Sequence, residues 1–186
     1  MLMRQGVEST SLDDILAYCE IKKGSFYYYF ASKEQFVQTC LETCYTIPLR
    51  QVMMELGWKP FPNFDDIEYL FIHATRRLQE KMDALLGAYT LPLYSIYAEL
   101  IHLSSISTYM SKSYYENNEK WINWLTDGLR HMQEQGEIAE NVNCRDAARL
   151  MYHYREGVLT VWAHDGVMDI EGNIRMAMQF FKRMLQ

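Results

Sequence analysis

Thr10-Ser11-Leu12-Asp13-Asp14-Ile15, then Gly24-Ser25-Phe26-Tyr27-Tyr28-Tyr29-Phe30, then Ser32-Lys33-Glu34: these three runs decide how the rest of the chain is read. Ser11 carries the side-chain oxygen that an N-cap needs to accept a bond from an unpaired backbone N–H, and Asp14 stands at the reciprocal capping-box position. A helix therefore begins at Leu12. Leu12, Ile15, Leu16 and Cys19 form its narrow apolar stripe, and Asp13 and Asp14 put negative charge at the positive end of its dipole. Glu20-Ile21-Lys22 makes the turn, and Lys23 to Tyr29 a second short helix whose Phe26 and Phe30 point inward with Ile21. Lys22, Lys23, Ser25, Tyr27, Tyr28 and Tyr29 point outward, a set of ammonium, hydroxyl and phenol groups suited to phosphate oxygens and base edges in a major groove. Gly24 costs about 1 kcal/mol relative to alanine inside a helix, which makes sense where a backbone or a DNA strand must come close. Ser32 is a fresh N-cap with Gln35 at the capping-box position, so a third helix starts at Lys33 and runs through Phe36, Val37, Cys40, Leu41 and Cys44. Its first backbone amides, with Lys33 beside them, offer an anion site.

From Gly6 to Glu42 the sequence resembles the DNA-binding part of the tetracycline-repressor (TetR) family of bacterial transcriptional regulators. The matches are Gly6, Thr10-Ser11, Asp14-Ile15, Lys23-Gly24-Ser25-Phe26-Tyr27-Tyr28, Phe30 and Ser32-Lys33-Glu34, in order and without gaps. The resemblance implies that Ser11, Lys23, Ser25, Tyr27, Tyr28, Tyr29 and Lys33 face DNA, with Phe26 and Phe30 in the core. Three departures bear on that reading. Glu20 stands where the family has a turn glycine, so a left-handed backbone there carries strain. Lys22 replaces the serine or threonine cap of the recognition helix, which removes a cap bond and adds a DNA-facing charge. Tyr29 replaces a common histidine. Family members also carry a full helix before the glycine matched by Gly6, whereas only Met1 to Gln5 precede it here, with Leu2 at the place of a core aromatic. Either residues upstream are omitted, or the start lies further upstream, or the product itself lacks this helix; because the remaining helices would then expose an apolar face, one of the first two is the expectation.

The chain has 186 residues and a net charge of −6. That balance excludes a protein that coats nucleic acid, because non-specific binding rests on positive charge. A sequence-specific reader needs only a local basic patch, which Lys22, Lys23 and Lys33 supply. No segment has the uninterrupted apolar length of a membrane span, and the start does not read as a secretory signal. Cys19, Cys40, Cys44 and Cys144 lack framework spacing and suit a reducing cytoplasm. Cys40 and Cys44 lie one helical turn apart, but no CxxC or nearby histidine completes a metal site.

Beyond Ile47 the chain reads as helices separated by short breakers. Pro48 should kink the continuation of the third helix, and Gly57 to Pro62 should end it. A helix opens at Asp65 or Asp66 and closes near Gly87; further helices span about Pro92 to Met110 and Ser113 to Gln135. Ala147, Leu150, Met151, Tyr154, Val158, Val161 and Trp162 recur at helical steps. So do Ile170, Ile174, Ala177, Met178, Phe181 and Leu185 after the His164-Asp165-Gly166 turn. Leu159, Met176 and Phe180 fall off these stripes, and a helix with more than one apolar face packs against more than its own core. The last two helices are therefore expected to pair with their copies in a second subunit through Leu150, Tyr154, Val158, Val161, Ile174, Met178 and Phe181, as the TetR resemblance also implies.

His73, Tyr89, Tyr94, Tyr97, His102, Trp121, Trp124, Tyr152, His153 and Trp162 suit an internal cavity for a flat or amphipathic ligand. Glu99 and His102 have the Glu-x-x-His spacing of di-iron bundles, but that site needs a second copy, which the chain lacks. No Gly-x-Ser-x-Gly elbow, P-loop or dinucleotide fingerprint is present.

The sequence reads as an all-α protein with a helix-turn-helix unit over 1–46 and a helical effector-binding and dimerisation domain over 47–186. The expected function is a cytoplasmic, non-enzymatic transcriptional regulator without cofactor. It would bind a double-stranded DNA operator as a homodimer, act as a repressor, and be released by a small molecule. The alternative is a helical ligand-binding or interaction module of the same shape that does not bind DNA.

Overall fold

The computed structural model describes residues 2–57, 59–89, 92–106 and 108–186; Trp58 lies outside them. The head begins with α1 (Leu2–Gln5), followed by α2 (Leu12–Tyr18), α3 (Lys23–Tyr29) and α4 (Lys33–Leu41). The capping box forms as expected: Asp14 N–H donates to Ser11 Oγ at 3.1 Å, and Ser11 N–H to the Asp14 carboxylate at 2.8 Å. At α4 the box is offset by one residue. Gln35 N–H donates to Ser32 Oγ at 3.3 Å, but the Gln35 side-chain oxygen accepts from Ala31 N–H. Phe26 is 1% exposed, with ring centroids 5.4 Å from Phe30 and 5.6 Å from Phe36. Glu20 adopts φ 54, the strained left-handed position, and Lys22 caps α3 without a side-chain bond. Ile21 departs from its expected inward place and is exposed. Its N–H still reaches Leu16 C=O at 3.0 Å, so the left-handed Glu20 reverses the chain there and leaves the side chain on the outer side of the turn.

Pro48 leaves its mark upstream of itself. α4 passes into a π segment (Glu42–Thr46), in which Ile47 N–H bonds to Glu42 C=O, and then into α5 (Ile47–Glu55). Proline lacks an N–H and its ring crowds the carbonyl four residues back, here Cys44. Widening the turn to an i→i−5 bond relieves that crowding without ending the helix. The helical run therefore crosses position 46 unbroken and ends only at Gly57, φ 76.

The body continues with α6 (Phe64–Leu86), α7 (Leu93–Ile106), α8 (Thr108–Glu134), α9 (Cys144–Asp165) and α10 (Ile170–Leu185). α6 starts earlier than Asp65 because Asn63 is the cap and Asp66 its capping-box partner. α7 is described to Ile106 and α8 from Thr108, so α8 starts earlier than the Ser113 that periodicity suggests. α5 packs on α6, α6 on α10, α10 on α9, and α7, α8 and α9 on one another. Ile67, Leu125, Leu129, Met151 and Ile174 are among the buried residues of their shared core. Among the described residues no helix is long and apolar enough to cross a membrane.

The head meets the body on α7. Leu100 and Leu2 both pack on the Val37–Leu41 cluster, Val7 N–H donates to the Glu99 carboxylate at 3.0 Å, and His102 lies 3.6 Å from Glu8. Glu99 and His102 thus serve the head contact. Among the described residues no three His, Cys, Asp or Glu side chains gather as a metal site.

α8 passes so close to the Gly57–Asn63 connection that a Cβ on Gly128 would lie 2.5 Å from Pro62 C=O. Trp124 Nε1–H donates to Lys59 C=O at 2.6 Å in the same contact. Gly128→Ala is expected to lower stability by about 1–3 kcal/mol through overpacking, read as a lower urea midpoint at unchanged slope.

Candidate nucleic-acid interface and a buried polar cluster

α3 is held by Phe26 alone among its seven residues; the other six face solvent. Tyr28 is 82% and Tyr29 71% exposed, their rings edge to face at 4.9 Å. Lys22, Lys23, Ser25 and Tyr27 share this exposed surface, and a Cβ on Gly24 would meet nothing within 4 Å. Lys33 is half-buried at the start of α4, near the Asp14 carboxylate. Ser11 is exposed, but its hydroxyl donates to Asp14 at 2.6 Å, so it would give up that bond to donate to a phosphate. The Ser11 bonds, aided by Lys33, hold Asp14 below the usual carboxylate range.

The aromatic and histidine residues of the body do not line one cavity. His73 and Trp162 border an open groove of about 280 Å³ with Ile72, Arg76, Leu93 and Ile170; Tyr94 stands edge-on to Trp162 at 5.9 Å. His102 borders a second open groove of about 370 Å³ with Ala98, Ile101, Thr160 and His164. Trp124 is a structural strut through its bond to Lys59, and His153 is exposed beside Tyr152. The Tyr89 side chain lies outside the described residues. An interior filled by ring-on-ring packing leaves the expected residues divided among separate places.

Tyr97, Trp121 and Tyr152 surround a group that periodicity overlooks. Arg155, 8% exposed, places its guanidinium 5.4 Å from the ring centres of both Phe71 and Trp121. Its Nη1 donates to Glu156 Oε1 at 2.7 Å. Glu156 Oε2 accepts from the hydroxyls of Tyr97, at 2.5 Å, and Tyr114, at 3.0 Å. Tyr152 OH donates to Asn118 at 2.6 Å. Arg155 Nε is buried with no hydrogen-bond partner among the described residues. A signal was present in the sequence: Arg155 stands four residues after Met151 and three before Val158, on the buried stripe of α9.

Burial alone would lower the Arg155 pKa, but Glu156 and the surrounding phenols outweigh it and hold it above its ordinary value. Burial first, then Glu156, pushes the Tyr97, Tyr114 and Tyr152 phenols up, Tyr114 to about 12. Tyr45, on the π segment, is raised by burial and feels both Arg155 and Glu156.

The residues expected at a subunit interface divide in two. Val158, Ile174, Met178 and Phe181 are buried within the chain's own core, and Tyr154 is half-buried with its hydroxyl 3.4 Å from Asn173 C=O. Leu150 and Val161 are exposed on α9; Met176, Phe180 and Met184 are exposed on α10. The stripe that repeats most regularly is the one that faces its own subunit.

Residues 1–40 match the model of the family described as bacterial regulatory proteins, tetR family. A TetR-family transcriptional regulator from Cytophaga hutchinsonii aligns with TM-score 0.71 at 14% identity, covering 100% of this chain and 88% of that one. SmeT in complex with triclosan gives TM-score 0.72 at 17% identity, covering 100% and 86%; SmeT is the repressor of the SmeDEF multidrug efflux pump of Stenotrophomonas maltophilia. Reduced NemR of E. coli gives 0.63 at 21%, covering 100% and 91%. No curated protein matches the sequence. The chain thus carries the tetR-family segment at its start and the all-helical fold of TetR regulators along its whole length.

A phenol whose pKa is higher folded than unfolded keeps its proton longer in the native state, so the unfolded state binds fewer protons in the window between the two values. The stability contributed by these phenols is complete below the ordinary value of 10.0 and is lost as pH rises from there through about 12 for Tyr114. A fall in urea midpoint above that ordinary value is expected, and Tyr114→Phe should make it shallower.

Proposed function

We propose that this chain is a sequence-specific DNA-binding transcriptional regulator, a repressor that a small molecule releases. The observation that carries this reading is the six-residue exposed face of α3, mounted on a head whose core Phe26, Phe30 and Phe36 lock. Residues 1–46 act as the DNA-binding head and 47–186 as the effector-binding and dimerisation body. Tyr28 and Lys33 anchor phosphates, while Lys23, Ser25 and Tyr27 approach base edges in the major groove. Lys22 and Tyr29 add contacts at the ends of α3, and bare Gly24 lets the DNA backbone close in. The SmeT–triclosan complex supports a body that takes up small aromatic molecules in this fold.

The exposed apolar residues Leu150, Val161, Met176, Phe180 and Met184 support a two-fold pairing of α9 and α10 between subunits. Two heads then read half-sites of a palindrome. A ligand favoured by a conformation with wrongly spaced heads shifts the dimer off DNA by its differential affinity. Such a regulator works in the cytoplasm.

Selection from random duplex DNA is expected to return a palindromic site. Lys23→Ala should weaken its binding by about 1–3 kcal/mol if the lysine reads a base, with the melting temperature unchanged; wild-type affinity in that variant would remove the assignment. Phe180→Glu should convert the dimer to monomer in equilibrium sedimentation while the far-ultraviolet spectrum stays helical, and a wild-type protein that sediments only as monomer would end the dimer reading.

A further inference from the structure

We infer that Arg155 reads the effector through a neutral hydrogen-bond acceptor, so that the ligand is an aromatic or amphipathic molecule carrying a carbonyl, amide or ester oxygen. This rests on the ligand-released regulator described above and assigns the chemistry of its effector. The starting point is the Arg155 Nε–H, buried and without a partner. Leaving a donor of a charged group unpaired in the interior is costly, and an incoming acceptor removes that cost. The neighbours restrict what the acceptor can be. Glu156 already balances the guanidinium charge, and its two oxygens accept from Arg155, Tyr97 and Tyr114. A second carboxylate would leave the site with an uncompensated buried negative charge, whereas a neutral oxygen accepts the Nε–H bond and leaves the balance intact.

The surroundings suit a flat body. Phe71 and Trp121 face the guanidinium, and Tyr114, 38% exposed, forms the outer edge of the cluster. The groove of about 370 Å³ begins one turn away on both helices that form it: Ala98 and Ile101 follow Tyr97 on α7, and Thr160 follows Glu156 on α9. Tyr45, on the π segment that follows α4 of the head, packs against the core that contains Phe71, Trp121 and Tyr152. A ligand that rearranges the Arg155 neighbourhood thereby acts on the helix that carries the head.

The test uses the full-length protein and three probes of one shape, naphthamide, naphthoate and methylnaphthalene of the same substitution pattern, titrated by tryptophan fluorescence. Wild type should bind the amide about tenfold or more tighter than the hydrocarbon, with the carboxylate no tighter than the amide. Because Arg155→Met alone strands Glu156, the comparison variant is Arg155→Met with Glu156→Gln, which removes both charges at similar volume. It should bind the three probes alike while keeping a helical spectrum and a cooperative melt. Tightest binding by naphthoate overturns the neutral-acceptor assignment. Equal binding of all three by wild type, no binding of any, or a preference that survives in the double variant shows that Nε faces a trapped water only, and also overturns it. Operator binding, measured separately on wild type, tells the two readings apart: with the operator bound and the probe ranking absent, the effector assignment alone falls.

Discussion

A guanidinium in the middle of a helical body has to be paired, and meeting that requirement organises the body around Arg155. Its charge is balanced by Glu156, the next residue on α9, which takes its two remaining donors from Tyr97 on α7 and Tyr114 on α8. Phe71 of α6 and Trp121 of α8 supply ring faces to the cation. Four helices thus converge on one charge pair, and Tyr45 of the π segment packs against the same core. Replacing such a pair by well-packed apolar groups is often neutral in stability, whereas breaking it is expensive. The geometry of the pair therefore constrains where α6, α7, α8 and α9 sit more tightly than apolar packing alone, which tolerates many arrangements of similar volume.

The run from Lys33 to Glu55 carries that constraint outward. Because the π segment absorbs Pro48 without a break, the helix that begins in the head runs into the body, where Val52 and Met53 join the core. Cys40 and Cys44 lie along this run, and burial pushes the Cys40 thiol up to about 11. It stays protonated at neutral pH and behaves as a small apolar side chain. Its position next to the widened turn is a packing position.

What the sequence made legible was local. Caps, turn chemistry and helical spacing depend on residues a few positions apart, and Ser11, Asp14, Phe26, Ser32 and the bounds of α2 and α3 follow from them. Asn63 was overlooked because two aspartates next to it carry the same signal. Contacts across the fold were not legible in the same way. Periodicity shows that Val158, Ile174, Met178 and Phe181 are apolar on one face but not whether that face meets its own subunit or another; the structure spends them on its own core. The aromatics named as cavity lining are spread over separate places for a related reason. Trp124 and Tyr152 are fixed by partners 65 and 34 positions away, Lys59 and Asn118. Arg155 was the charged residue on an apolar stripe, and a buried charge is a stronger pointer to a site than any number of rings.

The head and its attachment differ in stiffness, and that difference gives a change in the body something to move. Inside the head, Phe26, Phe30 and Phe36 meet within 5.6 Å of one another, centre to centre, and the Ser11 and Ser32 caps fix the helix starts. Between head and body the contacts described are lighter: Leu100 against the Val37–Leu41 cluster, a bond from Val7 N–H to the Glu99 carboxylate, and the exposed Glu8–His102 pair. An exposed pair at this distance contributes little. Only the α4–π–α5 run joins the two parts through backbone, and it is widened where they meet. A rotation there moves α3 as a rigid block while breaking few contacts. The energy needed to change the position of α3 is thus far smaller than the energy needed to deform it, as the regulator proposed above requires.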